Sequence, residues 1–187
     1  MFRPSASPGV QRGVTLIELI STLAVAAVLL TLAVPGFSRW SEESRLVTEV
    51  NTLLTHLHLA RSEAVKQRTP VVLCPDDGQG DCAATIEWQA GYILFPDLDG
   101  DRQRDPDEPL LRRYRPDAGG PRIRSARSTR GRKRIIFFPT GTAKGYNTTF
   151  TFCPGSGSTD PKALILSATG RPRVSERRPG GGVIECG

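Results

Sequence analysis

The chain has 187 residues, of which 38% are hydrophobic, 24% are charged and 6% are aromatic. That length suits one globular domain with an appendage, and the glycine, proline and apolar contents exclude a collagen-like, low-complexity or wholly disordered chain. The formal net charge of +6 predicts attraction to polyanions or to anionic lipid head groups.

The first element is an apolar segment, residues 14–34, whose only charged residue is Glu18. It matches the ~20 residues that a helix needs to cross the hydrocarbon core of a membrane. A secretory signal peptide is the alternative, but its apolar region is usually about 7 to 15 residues long and ends in a small-residue cleavage site. This segment is longer and runs into Pro35-Gly36, so we predict a membrane-spanning helix.

The charges around that segment predict its orientation. Arg3 and Arg12 precede it without any acid, and the positive-inside rule keeps such a flank in the cytoplasm. Residues 36–187 should then lie in the periplasm or outside the cell. An ionised carboxylate inside a membrane span costs about 2.5 kcal/mol or more and usually has a partner, so Glu18 is a candidate functional residue.

The run Gly13-Val14-Thr15-Leu16-Ile17-Glu18 resembles the type III signal of type IV pilins and pseudopilins. The resemblance implies that prepilin peptidase cuts after Gly13 and methylates the new amine of Val14, where the family usually has phenylalanine. It also implies that Glu18 pairs with the amine of a neighbouring subunit during assembly. The implied parts are a leader peptide (1–13), a transmembrane and filament-core helix (14–35) and a soluble domain (36–187).

Pro35 matches the proline that breaks the stalk helix in pilins, and proline by itself invites a kink. A helical pattern then continues over residues 45–67 and stops before Pro70. Its apolar residues recur in steps of four and three, which places them on one face of a helix. They are Leu46, Val50, Leu53, Leu57, Ala60 and Ala64.

Short β-rich runs separated by Gly, Pro and Asp turns follow the helix. They cover residues 71–74, 91–95, 110–114, 134–138, 148–153 and 163–167. This order predicts an α+β, type IV pilin-like fold, in which one long helix packs on antiparallel β-sheet.

An even number of cysteines in an exported domain predicts disulfides. The cysteines are Cys74, Cys82, Cys153 and Cys186. Three pairings are open; we favour Cys74 with Cys82, which closes a short polar loop, and Cys153 with Cys186, which holds the C-terminal tail against a strand. A zinc site is the alternative, but no C-x-x-C pair is present, and the only two histidines lie elsewhere in the chain.

Charge is segregated along the soluble domain. Residues 76–108 contain ten acids and two arginines, whereas residues 112–134 contain ten bases and one acid. These two segments either give a strongly bipolar surface or neutralise each other within the fold or across a subunit contact.

Residues 97–108, which we name the acidic loop, contain a weak calcium candidate. Carboxylates occupy positions 1, 3, 5, 9 and 12 of these twelve residues, as in EF-hand loops: Asp97, Asp99, Asp101, Asp105 and Glu108. Against calcium, the glycine is Gly100 at position 4, while Arg102 stands at position 6, where the sharp turn normally requires glycine. We therefore favour a polar hairpin turn and expect no cofactor.

No catalytic motif is present. The sequence lacks a phosphate-binding glycine loop, a supported Ser-His-Asp set and any G-x-S-x-G or H-E-x-x-H run. We expect a structural or binding protein and not an enzyme.

Further segments of the soluble domain resemble the GspH/FimT family of minor pilins and pseudopilins. They are residues 59–66 (LARSEAVK), residues 70–74 (PVVLC), and Trp88 with residues 91–97 (GYILFPD). The resemblance implies a low-abundance subunit that initiates or caps a pilus or a secretion pseudopilus. The implied partners are other major and minor pilin subunits, prepilin peptidase and the inner membrane.

The run Gly170-Arg171-Pro172-Arg173 resembles the G-R-x-R motif of DNA-binding, FimT-type members of that family. This resemblance implies DNA binding and a role in DNA uptake during natural transformation. The physical reading agrees, because glycine permits a tight turn, proline stiffens the loop, and guanidinium groups suit phosphate oxygens. Arg177 and Arg178 extend the patch, and the contacts should be sequence-independent and salt-sensitive.

Two alternatives stay open. The C-terminal arginines are merely solvated side chains on a β-turn, or the protein is a type II secretion pseudopilin that acts in protein export without binding DNA.

Overall fold

The computed structural model describes residues 13–126, 131–157 and 159–186. The chain divides into two compact units, Met1–Ser38 and Arg39–Gly187. Arg3 and Arg12 of the predicted leader, and Arg127 and Arg130 of the basic segment, lie outside the described residues.

One helix, α1, covers Leu16–Gln67. At its start, the side-chain oxygen of Thr15 accepts a hydrogen bond from the backbone N–H of Glu18 at 3.3 Å, so Thr15 is the N-cap. At its end, Arg68 takes a left-handed conformation with φ of 55°, and Pro70 disfavours helical backbone at the residue before it. Capping and proline therefore set the two ends of α1.

The part of α1 in the first unit carries an exposed apolar surface. Ten large apolar side chains between Val14 and Leu30 are exposed, with Val14 at 72%. Among the described residues, no single unbent helix is long and apolar enough to cross a membrane. The two parts of α1, Leu16–Thr31 and Gly36–Gln67, are separated by a bend, and as a bent pair they meet the requirement by length and composition.

The second unit contains two four-stranded antiparallel sheets. In chain order the strands are β1 (Val71–Pro75), β2 (Tyr92–Pro96), β3 (Arg112–Tyr114), β4 (Arg122–Ala126), β5 (Ile135–Phe137), β6 (Thr148–Cys153), β7 (Lys162–Leu166) and β8 (Pro172–Ser175). The first sheet has the order β3-β2-β1-β5, and the second has the order β4-β6-β7-β8. Strands β4 and β8 are therefore the two edges of the second sheet.

The main core joins α1 to one face of each sheet. Every residue of the predicted helical stripe is buried in it, together with β1, β2 and β5 residues of the first sheet and β4, β6 and β7 residues of the second. Trp88 is fully buried there and packs edge-to-face on Phe150 at 5.1 Å between ring centroids. The residues that the helical period placed on one face of α1 are thus the ones buried in the core.

Both disulfides are present with the favoured pairing. Cys74 joins Cys82, and Cys153 joins Cys186, which leaves no free thiol. The first closes the loop after β1, and the second fastens the tail to the end of β6.

The predicted α+β, pilin-like fold is confirmed, and each of the six predicted strands is present with its ends within two residues of the prediction. Strands β4 and β8 were not predicted from the sequence. Both carry arginines, so the predicted strand count was too low, and the antiparallel strands form two sheets.

Candidate nucleic-acid interface

The predicted DNA motif begins in a tight turn between β7 and β8. The N–H of Gly170 donates to the carbonyl of Ser167 at 3.0 Å, and the N–H of Ser167 donates to the carbonyl of Arg171 at 3.2 Å. Gly170 has φ of 76°, and a Cβ there would overlap the carbonyl oxygen of Gly141. Glycine is therefore required both by the left-handed backbone and by the close approach of a second loop.

Arg171 and Arg173 are exposed. Arg173 lies within β8 and pairs with Ile165 of β7, which corrects the prediction that the whole motif is a loop. Pro172 begins β8, where its missing N–H is tolerated because the strand is at the sheet edge. Arg171 lies in the turn just before β8, so the two exposed arginines flank Pro172 at the edge of the second sheet. Neither pairs with an acid among the described residues.

Arg177 and Arg178 lie in the tail after β8. The guanidinium of Arg177 donates to the carbonyl of Gly181 at 3.3 Å, and that of Arg178 lies 3.3 Å from the carboxylate of Glu185. The tail itself thus orients these two arginines, and the Cys153–Cys186 disulfide fixes its end. Arg178 is thus paired with an acid, whereas Arg171 and Arg173 have no acidic partner among the described residues.

The acidic and basic segments partly neutralise each other within the fold. Arg113 donates to both carboxylate oxygens of Asp76, at 2.6 and 3.1 Å, and Arg115 lies 3.8 Å from the same carboxylate. Arg124 of β4 lies 3.5 Å from Glu87. Of the two alternatives for these segments, the structure therefore supports neutralisation within the fold at these contacts.

Asp76 is the most buried of these ion-paired acids, with its side chain 2% exposed. Burial alone would raise its pKa, but hydrogen bonds from Arg113 and from the N–H groups of Gly78 and Gly80 outweigh burial and hold the pKa of Asp76 below its usual value. Asp76 is thus a structural group that fixes the Cys74–Cys82 loop against β3.

The acidic loop is held by its own hydrogen bonds. One Asp97 oxygen accepts from the N–H groups of Gly100 and Arg102, at 3.0 and 3.2 Å, and the two Glu108 oxygens accept from the N–H groups of Leu98 and Asp105, at 2.6 and 3.2 Å. Arg102 supplies the sharp turn at position 6 with φ of 68°.

Carboxylate oxygens of the acidic loop come close enough to share an ion in two groups, Asp97 with Asp99 and Glu108, and Asp99 with Asp101 and Asp105. Burial, together with the charges of neighbouring acids, raises the pKa of Asp105. The acidic loop is therefore held in its turn by its own hydrogen bonds. Calcium binding by the loop stays a prediction that a calcium titration can test.

The predicted processing and assembly residues lie at the start of the first unit. Gly13 and Val14 precede α1, and Glu18 is the third residue of the helix. Thr15 and Glu18 have the spacing of a capping box, in which a Thr N-cap and an acid three residues later satisfy helix N–H groups. The Thr15 half of this arrangement is formed, and the T-x-x-E pattern is the sequence signal for it.

A buried polar contact between α1 and the first sheet had no sequence signal. The hydroxyl of Tyr114 donates to one oxygen of Glu49 at 2.8 Å, while the other Glu49 oxygen is buried with no hydrogen-bond partner among the described residues. Burial raises the pKa of Glu49; the Tyr114 hydrogen bond opposes this, and the charge of Asp117 adds to it. Beside it, His56 and the Tyr92 hydroxyl are hydrogen-bonded at 2.8 Å.

Comparison with known proteins connects this architecture to one family. Residues 49–170 match the sequence model of the family described as type II transport protein GspH. The Pilin-like protein PilA1 of Thermus thermophilus is 30% identical over 169 residues, which are 88% of this chain and 98% of that protein.

The fold resembles crystal structures of the type IV minor pilin FimU of Pseudomonas aeruginosa. In one crystal form the TM-score is 0.56 at 21% identity, covering 73% of this chain and 92% of FimU. In a second form the TM-score is 0.51 at 20% identity, covering 68% and 90% of the two chains. At this level of identity the likeness establishes the fold.

Proposed function

This chain belongs to the GspH family of minor type IV pilins and pseudopilins, and from that premise we propose that it is a minor pilin that binds DNA for uptake during natural transformation. The observation that carries the proposal is the pair Arg171 and Arg173. Both side chains are exposed, both residues lie at the β8 edge of the second sheet, and neither has an acidic partner among the described residues. Guanidinium groups so presented suit phosphate oxygens.

The proposed route to the filament begins in the inner membrane, with the second unit in the periplasm. Prepilin peptidase removes residues 1–13 after Gly13 and methylates Val14. Glu18 then pairs with the terminal amine of a neighbouring subunit, and the protein joins other major and minor pilins in the pilus. The exposed apolar surface between Val14 and Leu30 supports this route, because such a surface requires lipid or other helices around it.

The proposed DNA contact is electrostatic. Arg171 and Arg173 bind backbone phosphates, and Arg177 and Arg178 add positive charge in the adjoining tail. The chain after Phe152 contains no aromatic residue, so bases have no ring to stack on there, and the proposed contacts go to backbone phosphates. We therefore propose sequence-independent binding that weakens steeply with salt.

The experiment is a fluorescence anisotropy titration of a labelled duplex with full-length protein in non-ionic detergent. Arg171→Gln with Arg173→Gln removes two phosphate contacts, so the slope of log K against log salt should fall by about 1.8. Arg102→Gln with Arg112→Gln is the charge-matched control, because both side chains are exposed elsewhere on the domain.

Two outcomes would count against this proposal. If the Arg171 and Arg173 variant binds like the control variant, the site is wrong. If the unchanged protein does not bind the duplex at low salt, the DNA function is wrong.

A second candidate function is that of a type II secretion pseudopilin, and the observation that favours it is the family description as a type II transport protein. That candidate needs protein contacts and has no use for the exposed Arg171 and Arg173. Deletion of the gene separates the two functions. Loss of DNA uptake with normal secretion of hydrolases supports the pilin, and loss of secretion with normal uptake supports the pseudopilin.

A further inference from the structure

The strand register of the second sheet places arginines from its two opposite edges on one face. Directly paired residues of adjacent strands point to the same side of a sheet. Two rows cross this sheet from β4 to β8: Arg124, Thr151, Ala163 and Ser175 in one, and Ala126, Thr149, Ile165 and Arg173 in the other. Arg122 lies two residues from Arg124 and shares its side. We name this side the outer face, since the alternate residues Ile123, Phe150 and Leu164 point into the core.

The C-terminal tail lies over the same outer face. A cavity of about 500 Å³ is lined by Thr149 and Thr151 of the sheet and by Arg178 and Pro179 of the tail. The tail ends at the Cys153–Cys186 disulfide, where the guanidinium of Arg122 donates to the carbonyl of Cys186 at 3.4 Å. The tail thus places Arg178 between the arginines of the two sheet edges.

The acids near this face form weak, exposed pairs. Glu87 lies 3.5 Å from Arg124, with the two side chains 42% and 53% exposed. Glu185 lies 3.3 Å from Arg178 and is 76% exposed. Exposed ion pairs of this kind contribute little to stability, so a phosphate can replace either carboxylate.

We propose that the outer face is a docking surface for the backbone of double-stranded DNA, with Arg122 and Arg124 as a second point of contact opposite Arg173. This inference rests on the proposed function and extends it to residues outside the G-R-x-R motif. Neighbouring strands are about 4.8 Å apart, so three steps separate β4 from β8 by about 14 Å. That distance equals about four base-pair steps of 3.4 Å along a duplex, and one backbone reaches both edges together.

The composition of the outer face favours a duplex over a single strand. Its rows contain arginine, threonine, serine, alanine and isoleucine and no aromatic ring. Surfaces that hold single strands combine basic residues with aromatic rings on which bases stack. Thr149 and Thr151 are half-buried beside the tail, so the arginines at the two edges supply the phosphate contacts.

The test measures binding of full-length protein in non-ionic detergent to a mixed-sequence duplex and to the matching single strand, between 50 and 200 mM NaCl. Arg122→Gln with Arg124→Gln should lower the salt slope by about 1.8, so the unchanged protein should lose about 12-fold more affinity than the variant over that range. Glu87→Gln should bind more tightly than the unchanged protein, because Arg124 loses its competing carboxylate.

The outcomes separate this inference from the proposed function. If Arg122→Gln with Arg124→Gln behaves like the Arg102 and Arg112 control, while the Arg171 and Arg173 variant loses affinity, the second contact is wrong and the proposed function stands. Weaker or equal binding by Glu87→Gln, or tighter binding of the single strand, also overturns the inference. If the unchanged protein binds no duplex, both proposals fail.

Discussion

Removal of the Cys153–Cys186 disulfide should destabilise the second unit and also release the C-terminal tail from the outer face of the second sheet. The bridge spans a sequence separation of 33 residues, and the chain-entropy relation gives about 3.7 kcal/mol for a loop of that length. The Cys74–Cys82 bridge spans 8 residues, which gives about 2.5 kcal/mol. Cys74 and Cys153 are both buried, so the alanine substitutions add about 1 kcal/mol of lost packing to each variant. The Cys153→Ala with Cys186→Ala variant should therefore lose about 1 kcal/mol more stability than Cys74→Ala with Cys82→Ala.

Because both variants are destabilised, Cys74→Ala with Cys82→Ala is the control for a general loss of stability. Urea unfolding can be followed by tryptophan fluorescence, since Trp88 is fully buried, whereas Trp40 is 64% exposed in the native state. Only Cys153→Ala with Cys186→Ala should also weaken duplex binding, because it releases the tail that carries Arg178. Unchanged stability of that variant, or an equal loss of DNA binding by the control, would refute the reasoning.

Three further predictions concern other sites. Glu18→Ala should leave the precursor processed but reduce its amount in sheared pili, because the contact with the terminal amine of a neighbouring subunit is lost. Thr15→Val is the control, since it removes only the helix cap. Equal incorporation of the Glu18→Ala variant and the unchanged protein would contradict the assembly role. The acidic loop should give no heat with millimolar calcium in isothermal titration, because its buried carboxylates already accept backbone hydrogen bonds; a saturable signal would establish a calcium site. Because the pKa of Glu49 is raised, its contribution to stability is full below its ordinary value of 4.5 and is lost as pH rises through the folded pKa. Glu49→Gln should therefore be more stable than the unchanged protein at pH 7 and lose this advantage near pH 4 in urea unfolding, whereas an equal difference at both pH values would exclude this linkage.

The helix and most strands were predictable because their signals are local. The stripe from Leu46 to Ala64 repeats at the helical period, and β1 and β2 are short apolar runs between turns. Strand β4 was missed because arginine occupies its outward positions, and its core side carries only Ile123 and the small Ser125. Arginine alternates with Ile123 and Ser125 at the period of a strand, but the high charge of this segment obscured that period.

The candidate site was only partly predictable from sequence. Gly170 and the arginines after it form a recognisable short motif, but β8 contains a proline and few apolar residues, as sheet edges do. Arg124 and Arg173 share one face through three successive strand pairings, β4 with β6, β6 with β7 and β7 with β8, and no local pattern encodes that register. The buried contact between Glu49 and Tyr114 is likewise a product of tertiary packing.

The central claim is that a minor pilin of this family carries DNA on its C-terminal arginines. The most direct measurement is the uptake of labelled duplex DNA by cells whose chromosomal copy encodes Arg171→Gln with Arg173→Gln, with the amount of the protein in sheared pili measured in parallel. The account predicts unchanged incorporation and strongly reduced uptake, while cells with Arg102→Gln and Arg112→Gln take up DNA normally. Normal uptake in the Arg171 and Arg173 strain, at normal incorporation, would contradict the account.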